Sequence, residues 1–169
     1  AELVARLEGI PLAIELAAAR IRALSVADIN TRLQDRYKLL TGGSRVLQER
    51  QQTLRALVDW SYDLLHDHER LLFDRLSVFA GGFELPASEE ICSAEPLMPE
   101  DVLDLLTSLV DKSLVMVEES GDSSRYRTLE TIRDYARERL VQRGELAPTS
   151  TMHCDHFLTM AKAANRGIK

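Results

Sequence analysis

Residues 99–129 read PEDVLDLLTSLVDKSLVMVEESGDSSRYRTL, and their patterning changes from helical to β-type partway along. The first part has apolar residues at the i, i+3, i+4, i+7 spacing of one helix face, namely Val102, Leu105, Leu106 and Leu109. Pro99 suits a first helical turn, where its missing N–H would have no partner, so we predict a helix from Pro99 to about Asp111. Runs of β-forming residues at 113–118 and 125–129 flank turn residues at 120–123, which predicts a two-stranded hairpin.

Further helices are predicted on both sides of this stretch. One begins near Asp67 and carries the apolar residues Leu71, Leu72, Leu76 and Phe79. After a turn at Gly81-Gly82-Phe83, a short helix follows at about 86–92, and an amphipathic helix begins at Glu130 and ends at Gly144 and Pro148. Three helices followed by a hairpin are the parts of a winged helix-turn-helix domain, so we predict a mainly α fold with a small β-hairpin.

The N-terminal segment predicts two helices that meet at a fixed elbow. Gly9 can end a helix by adopting positive φ, and Pro11 can open the next one. We expect this second helix to bury Leu12, Leu16, Ala19 and Ala23 and to direct Glu15, Arg20 and Arg22 to water.

Turn signals and caps predict the remaining organisation. Ser25, with Asp28 three residues later, can cap a helix over 26–39, and the Gly42-Gly43 step reads as a connector. Thr53 can cap a helix that carries Leu54, Leu57, Val58, Tyr62 and Leu65, and a last helix begins near Ser150. We therefore predict a helical segment at 1–43, a winged-helix domain at 44–145 and the start of a further helical region at 146–169.

Three segments carry a resemblance to a known family: Gly9-Ile10-Pro11-Leu12 with the following AIELAAAR, Gln51–Ala56, and Leu76–Phe83. Together they resemble the NB-ARC module of STAND-type signal-transduction ATPases, in the branch found in bacterial LuxR-type and SARP-type transcriptional regulators. The resemblance covers roughly residues 1–145. It implies an ARC-like helical segment with the motif Gly-Ile-Pro-Leu, a winged helix, and a following helical region of TPR type.

The same resemblance implies where a nucleotide would bind. Pro11 would pack against the adenine or sugar, with Gly9 and Leu12 setting its elbow. In the family a histidine near the end of the winged helix reaches the β-phosphate, but Leu129 stands at that position here and cannot donate a hydrogen bond. Arg127 and Thr128 remain the phosphate-side candidates.

The phosphate loop of such an ATPase is missing from this sequence, since no Gly-x-x-x-x-Gly-Lys-Ser/Thr pattern occurs. The resemblance implies a parent protein that binds ATP or ADP with Mg²⁺, and partners in the same polypeptide: an upstream phosphate-loop domain and downstream helical repeats. The chain opens in helical patterning at Ala1, which suggests an excised piece. We expect no tightly bound nucleotide and no enzymatic activity for this piece, although the parent would be an ATPase.

Composition and spacing point away from several other classes. No local arrangement suggests a catalytic nucleophile with its base, and His153, Cys154 and His156 lack a fourth ligand, so we predict neither a catalytic nor a metal site. The two cysteines are too far apart in sequence to suggest a disulfide framework, and no apolar run approaches membrane-spanning length. We expect a cytoplasmic protein without a membrane partner.

The balance of acidic and basic residues indicates whether the chain can bind DNA. Residues 67–120 contain thirteen Asp and Glu against three Lys and Arg, and the whole chain has a net charge of −6. Phosphate neutralisation by basic residues supplies most non-specific DNA affinity, so the helix at 100–112, with four acids, should repel DNA. Arginines do concentrate at positions 125, 127, 133, 137, 139 and 143, but acids at 130, 134 and 138 alternate with them.

The sequence therefore leaves three functions open. The main interpretation is a regulatory piece of a nucleotide-switch ATPase that couples ATP or ADP binding to domain rearrangement. The alternatives are a DNA-binding winged helix and a protein-interaction adaptor, although we expect no direct DNA contact by this chain.

Overall fold

A computed structural model describes residues 7, 10–21, 24–32, 47–120 and 123–166. The chain divides into two compact units, one comprising Ala1–Leu65 and Asp111–Ser113 and the other His66–Val110 and Leu114–Lys169. The domain boundaries after residues 43 and 145 stay predictions, and the first of them lies outside the described residues. No helix in the described part of the chain is long and apolar enough to cross a membrane.

In the first unit, helix α1 spans Pro11–Arg20, and Pro11 lies in its first turn as predicted. The buried stripe differs from the predicted one, because Ala13, Leu16, Ala17 and Arg20 are buried. Arg20 was expected to face water, but its Nη2 donates to the carbonyl of Ser61, 3.4 Å away. The acceptor of this hydrogen bond lies on a second helix, Leu47–Asp63, so the pattern of α1 alone could not indicate the contact.

The remaining helices of this unit confirm one predicted cap and correct another. Residues 26–32 are helical, and the amide of Asp28 donates to Ser25 Oγ at 3.1 Å. Helix α2 spans Leu47–Asp63 and packs against α1. Thr53 lies inside α2, so its predicted role as the helix cap is wrong. The preceding residues extend the helix because nothing in the stretch from Leu47 to Gln52 breaks it.

The second unit contains the helices around residue 99. Helix α3 spans Asp67–Leu76, α4 spans Leu85–Cys92 and α5 spans Pro99–Asp111. The amide of Met98 donates to Asp101 Oδ2 at 3.1 Å and so satisfies the N-terminal end of α5. Phe79 is buried but lies beyond the end of α3, which stops at Leu76.

Three short strands form an antiparallel sheet in the order β1-β3-β2. Strand β1 spans Phe83–Glu84, β2 spans Met116–Ser120 and β3 spans Ser123–Arg127. In the register, Tyr126 faces Phe83 on one side and Val117 on the other. The hairpin was predicted, but both of its strands lie about two residues away from the predicted positions, and β1 was not predicted.

The order α3, β1, α4, α5, β2, β3 is a winged helix-turn-helix domain, so the predicted fold class is confirmed. Helix α6, Glu130–Gln142, packs against α3, and the long helix α7, Leu146–Arg166, packs against α4. Gly144, at a φ of 75°, separates α6 from α7 as predicted. Pro148 was expected to help end α6, but it lies in the first turn of α7, where proline is well tolerated.

A buried arginine joins four segments of this unit. Arg75, on α3, is 4% exposed. Its Nε pairs with Glu145 at 2.8 Å, and its Nη atoms donate to the carbonyls of Cys92, Ala94 and Glu95. The guanidinium thus fixes the connection between α4 and α5 and the junction before α7.

Candidate functional site

The nucleotide-side residues predicted in the first unit lie at the start of α1. Pro11 is exposed and Leu12 is half-buried, whereas Gly9 lies outside the described residues. The amide of Ile10 donates to the carbonyl of Leu7 at 2.9 Å, which makes a tight turn immediately before α1. An exposed ring at the first turn is compatible with a ligand contact, and the role of Pro11 stays a prediction.

The predicted phosphate-side residues lie in the second unit, at the end of the hairpin. Arg127 is the last residue of β3, and its Nε lies 2.5 Å from Glu118 Oε1 on β2. Thr128 is half-buried in the two-residue step between β3 and α6, and Leu129 is the N-cap position of α6. Because Glu118 already neutralises Arg127, a phosphate at this arginine would have to compete with a carboxylate.

Helix α5 occupies the position of the base-reading helix in a winged helix. Val102, Leu106 and Leu109 are buried in the core. The outward residues are Glu100, Leu103, Asp104 and Thr107. Ser108 faces inward enough for its hydroxyl to donate to Glu69 Oε1 at 2.5 Å. The exposed side of α5 is therefore acidic, as the sequence predicted, and it opposes the approach of a phosphate backbone.

Two arginines of the basic concentration hold the turn before β1. Arg125 Nη2 donates to the carbonyls of Gly81 and Gly82 at 3.2 and 3.4 Å, and Arg133 Nη1 donates to that of Ala80 at 2.8 Å. Arg133 also lies 3.9 Å from both Glu130, three positions before it, and Asp134, the next residue. Arg125 and Arg133 therefore stabilise the turn before β1.

The arginines farther along α6 differ in their surroundings. Arg139 Nε donates to the Tyr135 hydroxyl at 3.0 Å, and the Arg139 guanidinium lies 4.9 Å from the centre of the Tyr135 ring. Arg143 Nε contacts Asp74 Oδ2 at 2.5 Å, and the Asp74 side chain is fully buried. Arg137 is exposed and forms no ion pair with the described part of the chain. Most of this basic concentration therefore supports the fold.

The histidines of α7 lie in an aromatic environment. The ring of His153 is 5.2 Å from Phe79 and 4.7 Å from Phe157. Burial, together with the neighbouring charge of His156, lowers the pKa of His153 below its ordinary value. His156 Nδ1 lies 2.9 Å from Glu90 Oε2. Within the described ranges, no group of three or more His, Cys, Asp or Glu residues is arranged to hold a metal ion.

Sequence reasoning missed a cleft of about 250 Å³ beside this aromatic group. Its walls come from the turn and strand at 82–84, from the start of α4, from Arg125 on β3, and from the middle of α7. No local pattern could indicate it, because its lining residues are spread over nearly eighty positions of the sequence.

Comparison with known proteins supports the winged helix. Residues 65–141 match the family model described as a winged helix-turn-helix domain. A Mycobacterium tuberculosis protein named "Putative HTH-type transcriptional regulator" is 48% identical over 164 residues, which cover 97% of this chain and 18% of that protein. A Mycobacterium bovis protein with the same descriptive name matches equally well.

A second Mycobacterium tuberculosis protein, named as uncharacterized, is 43% identical over 172 aligned residues, 99% of this chain and 44% of the relative. The chain therefore spans less than a fifth of the first relatives and less than half of the second. The matching family model describes the winged helix alone, so the resemblance to NB-ARC ATPases stays an expectation.

Proposed function

We propose that this chain is a segment of a transcriptional regulator and that its winged helix contacts DNA. The observation that carries the proposal is the winged-helix topology of the second unit, together with a relative named as an HTH-type transcriptional regulator. Neither comparison mentions a nucleotide, so these findings favour the DNA-binding alternative over the nucleotide switch.

Charge supports a contact by the hairpin rather than by α5. The exposed side of α5 carries Glu100 and Asp104, which would lie against phosphates if α5 entered a groove. The hairpin carries Arg125 and Arg127, both exposed, on its central strand. We therefore propose a weak, sequence-independent phosphate contact through Arg125, and through Arg127 where a phosphate displaces Glu118.

Duplex binding by the full chain, measured by fluorescence anisotropy, tests this proposal. Two phosphate contacts predict a slope of log K against log salt of about −2 between about 25 and about 200 mM salt. Replacing both Arg125 and Arg127 with Gln should remove the binding, whereas Arg137→Gln, at an exposed arginine of α6, should leave the slope unchanged. Absence of duplex binding at the lowest salt eliminates DNA contact and leaves the nucleotide switch or a protein-interaction adaptor as the role of the winged helix.

The nucleotide switch is the second candidate, and the exposed Pro11 at the start of α1 favours it specifically. In this proposal the chain covers a nucleotide held by a neighbouring module of a longer protein, with Mg²⁺ and the phosphates bound there. Pro11 with Leu12 would contact the base or sugar, and Arg127 with Thr128 the phosphate side.

Nucleotide affinity of the longer protein, measured by calorimetry, tests the switch. Pro11→Arg should weaken ATP or ADP binding at least tenfold, because a charged chain replaces an apolar packing surface. Ile21→Arg is the matched control, since Ile21 follows α1 and is 51% exposed. Equal affinity in the two variants would remove Pro11 from the site, and micromolar ATP binding by the isolated chain would contradict the idea that a neighbouring module holds the phosphates.

A further inference from the structure

One face of α7 continues beyond the surface on which the helix packs. Thr149, His153, Phe157 and Met160 are spaced by three or four residues and share this face. Exposure rises along it, from 4% at Thr149 to 41% at Phe157 and 55% at Met160. The face that packs in the first half of α7 therefore extends over open space in the second half, where it carries the apolar residues Phe157 and Met160.

That space is the cleft of about 250 Å³. Phe83, Pro86 and Ala87 form the wall opposite Phe157 and Met160. The wall is rigid on one side, because Phe83 stacks between Phe79 at 4.6 Å and Tyr126 at 5.8 Å, measured between ring centres. A preformed apolar cleft of this size falls just below the usual range of small-ligand sites, roughly 300 to 1,000 Å³.

A cation lines the same cleft. Arg125 is exposed, and its two hydrogen bonds to the carbonyls of Gly81 and Gly82 both use Nη2. Its Nη1 group donates to no acceptor in the described part of the chain, so it can donate a charge-assisted hydrogen bond to a carboxylate oxygen. His156 also lines the cleft but is engaged by Glu90.

Glu84, in the wall of the cleft, limits the negative charge that a ligand can carry. Glu84 borders the cleft and is exposed. Its carboxylate opposes any ligand with several negative charges, whereas a single carboxylate can be matched by Arg125. The volume accommodates one ring and a short chain but not a packed helix, which has a diameter of about 10 Å.

We propose that this cleft binds a small monocarboxylate that carries an aromatic or branched apolar group. The apolar group lies between Phe83, Ala87 and Phe157, and the carboxylate pairs with Arg125. This site is independent of the DNA contact proposed above except for Arg125, so ligand and duplex compete for that side chain.

Titration of the full chain with 3-phenylpropionate, followed by heteronuclear NMR, tests the proposal. The titration extends to about 20 mM, since a ligand of this size is expected to have a dissociation constant on the order of 1 mM. Saturable shifts are expected at the amides of Ala87, Phe157 and Met160. The uncharged analogue 3-phenylpropanol should bind about tenfold more weakly, because it loses the charge-assisted hydrogen bond.

Two variants separate the apolar wall from the cation. Ala87→Leu fills the cleft and should abolish the saturable shifts, whereas Arg125→Gln should weaken binding about tenfold, the equivalent of losing one charged hydrogen bond. Arg137→Gln removes the same charge from an exposed arginine that does not line the cleft and should leave affinity unchanged.

Three results would overturn the proposal: no saturable shift with 3-phenylpropionate, equal affinity for the alcohol, or equal affinity of the Arg125→Gln and Arg137→Gln proteins. If Ala87→Leu fails to fold, Arg125→Gln still decides the outcome. Duplex binding can fail while the NMR titration succeeds, so the two proposals are tested separately.

Discussion

Gly82 and Gly144 both have positive φ angles, 91° and 75°, but their surroundings differ. A Cβ added to Gly82 would lie 2.8 Å from the carbonyl oxygen of Tyr126, whereas one added to Gly144 would meet nothing within 4 Å. Gly144→Ala should therefore cost about 1 kcal/mol of unfolding free energy, the strain of a left-handed alanine. Gly82→Ala should cost at least about 2 kcal/mol, since the same strain is joined by a backbone clash. Urea unfolding of the two variants checks this order, which equal losses would contradict.

The two cysteines should differ in reactivity. Burial raises the pKa of the Cys92 thiol to about 12, whereas Cys154 is exposed. The thiolate is the reactive form, so alkylation by iodoacetamide at about pH 8 should label Cys154 quickly and leave Cys92 unmodified. Mass spectrometry of the folded protein and of a urea-treated control measures the difference. Rapid double labelling of the folded chain would show that Cys92 is not protected.

His153 should make stability depend on pH. Its pKa is lowered in the folded chain, first by burial and then by His156, so the unfolded chain binds the proton more readily. The neutral imidazole's contribution is fully present above the ordinary pKa of 6.5 and is lost as pH falls through the lowered value. Denaturant unfolding at about pH 7.5 and about pH 5.5 should show a smaller loss for His153→Phe than for the unmodified chain. Equal losses in the two proteins would contradict this.

At the scale of helices and strands, the prediction concerns Arg75, the buried arginine of α3, and its contribution to the free energy of unfolding. Arg75→Met should lower the unfolding free energy by about 3 kcal/mol, because Glu145 loses its ion partner and three carbonyls lose their donor. Arg137→Met, at an exposed arginine of α6 that forms no ion pair with the described part of the chain, should cost less than about 0.5 kcal/mol. Thermal or urea unfolding compares the two variants. Similar losses of unfolding free energy would contradict the idea that Arg75 fixes the α4–α5 connection and the junction before α7.

Helix positions could be read from the sequence where periodicity and a start signal agree. Pro99, the acidic first turn and the apolar stripe defined α5 to the residue, and Asp67 and Glu130 marked α3 and α6 correctly. The helix start predicted at Thr53 was wrong because a polar residue that can cap a helix can also lie within one. The strands were displaced because Leu114 and Val115, which are buried, favour β structure although they lie before the strand.

The sites depended on information that local patterns do not contain. Nothing in β1 indicates a strand, since two residues have no periodicity and their pairing with Tyr126 and Arg125 comes from more than forty positions away. The acidic side of α5 was predictable because helix spacing alone determines it. The contacts of Arg20 and Arg143 were not predictable, because their acceptors lie on other helices.

On the scale of the whole molecule, the second unit should fold without the first. A chain of residues 66–169 is within the size range of a domain and contains its own core, including Leu72, Phe73, Ile91, Leu106 and Leu140. We expect helical circular dichroism and one cooperative thermal transition for this piece. A non-cooperative melt with little helix would show that residues 1–65 are required for folding.

The sheet order also bears on how copies of the protein behave at high concentration. With β3 in the centre, the edges that no other described residue pairs with are β1, which has two residues, and β2, which carries the adjacent Glu118 and Glu119. A two-residue edge presents too few amides to template another strand, and neighbouring carboxylates repel an incoming copy. The sheet is thereby protected against edge-to-edge aggregation.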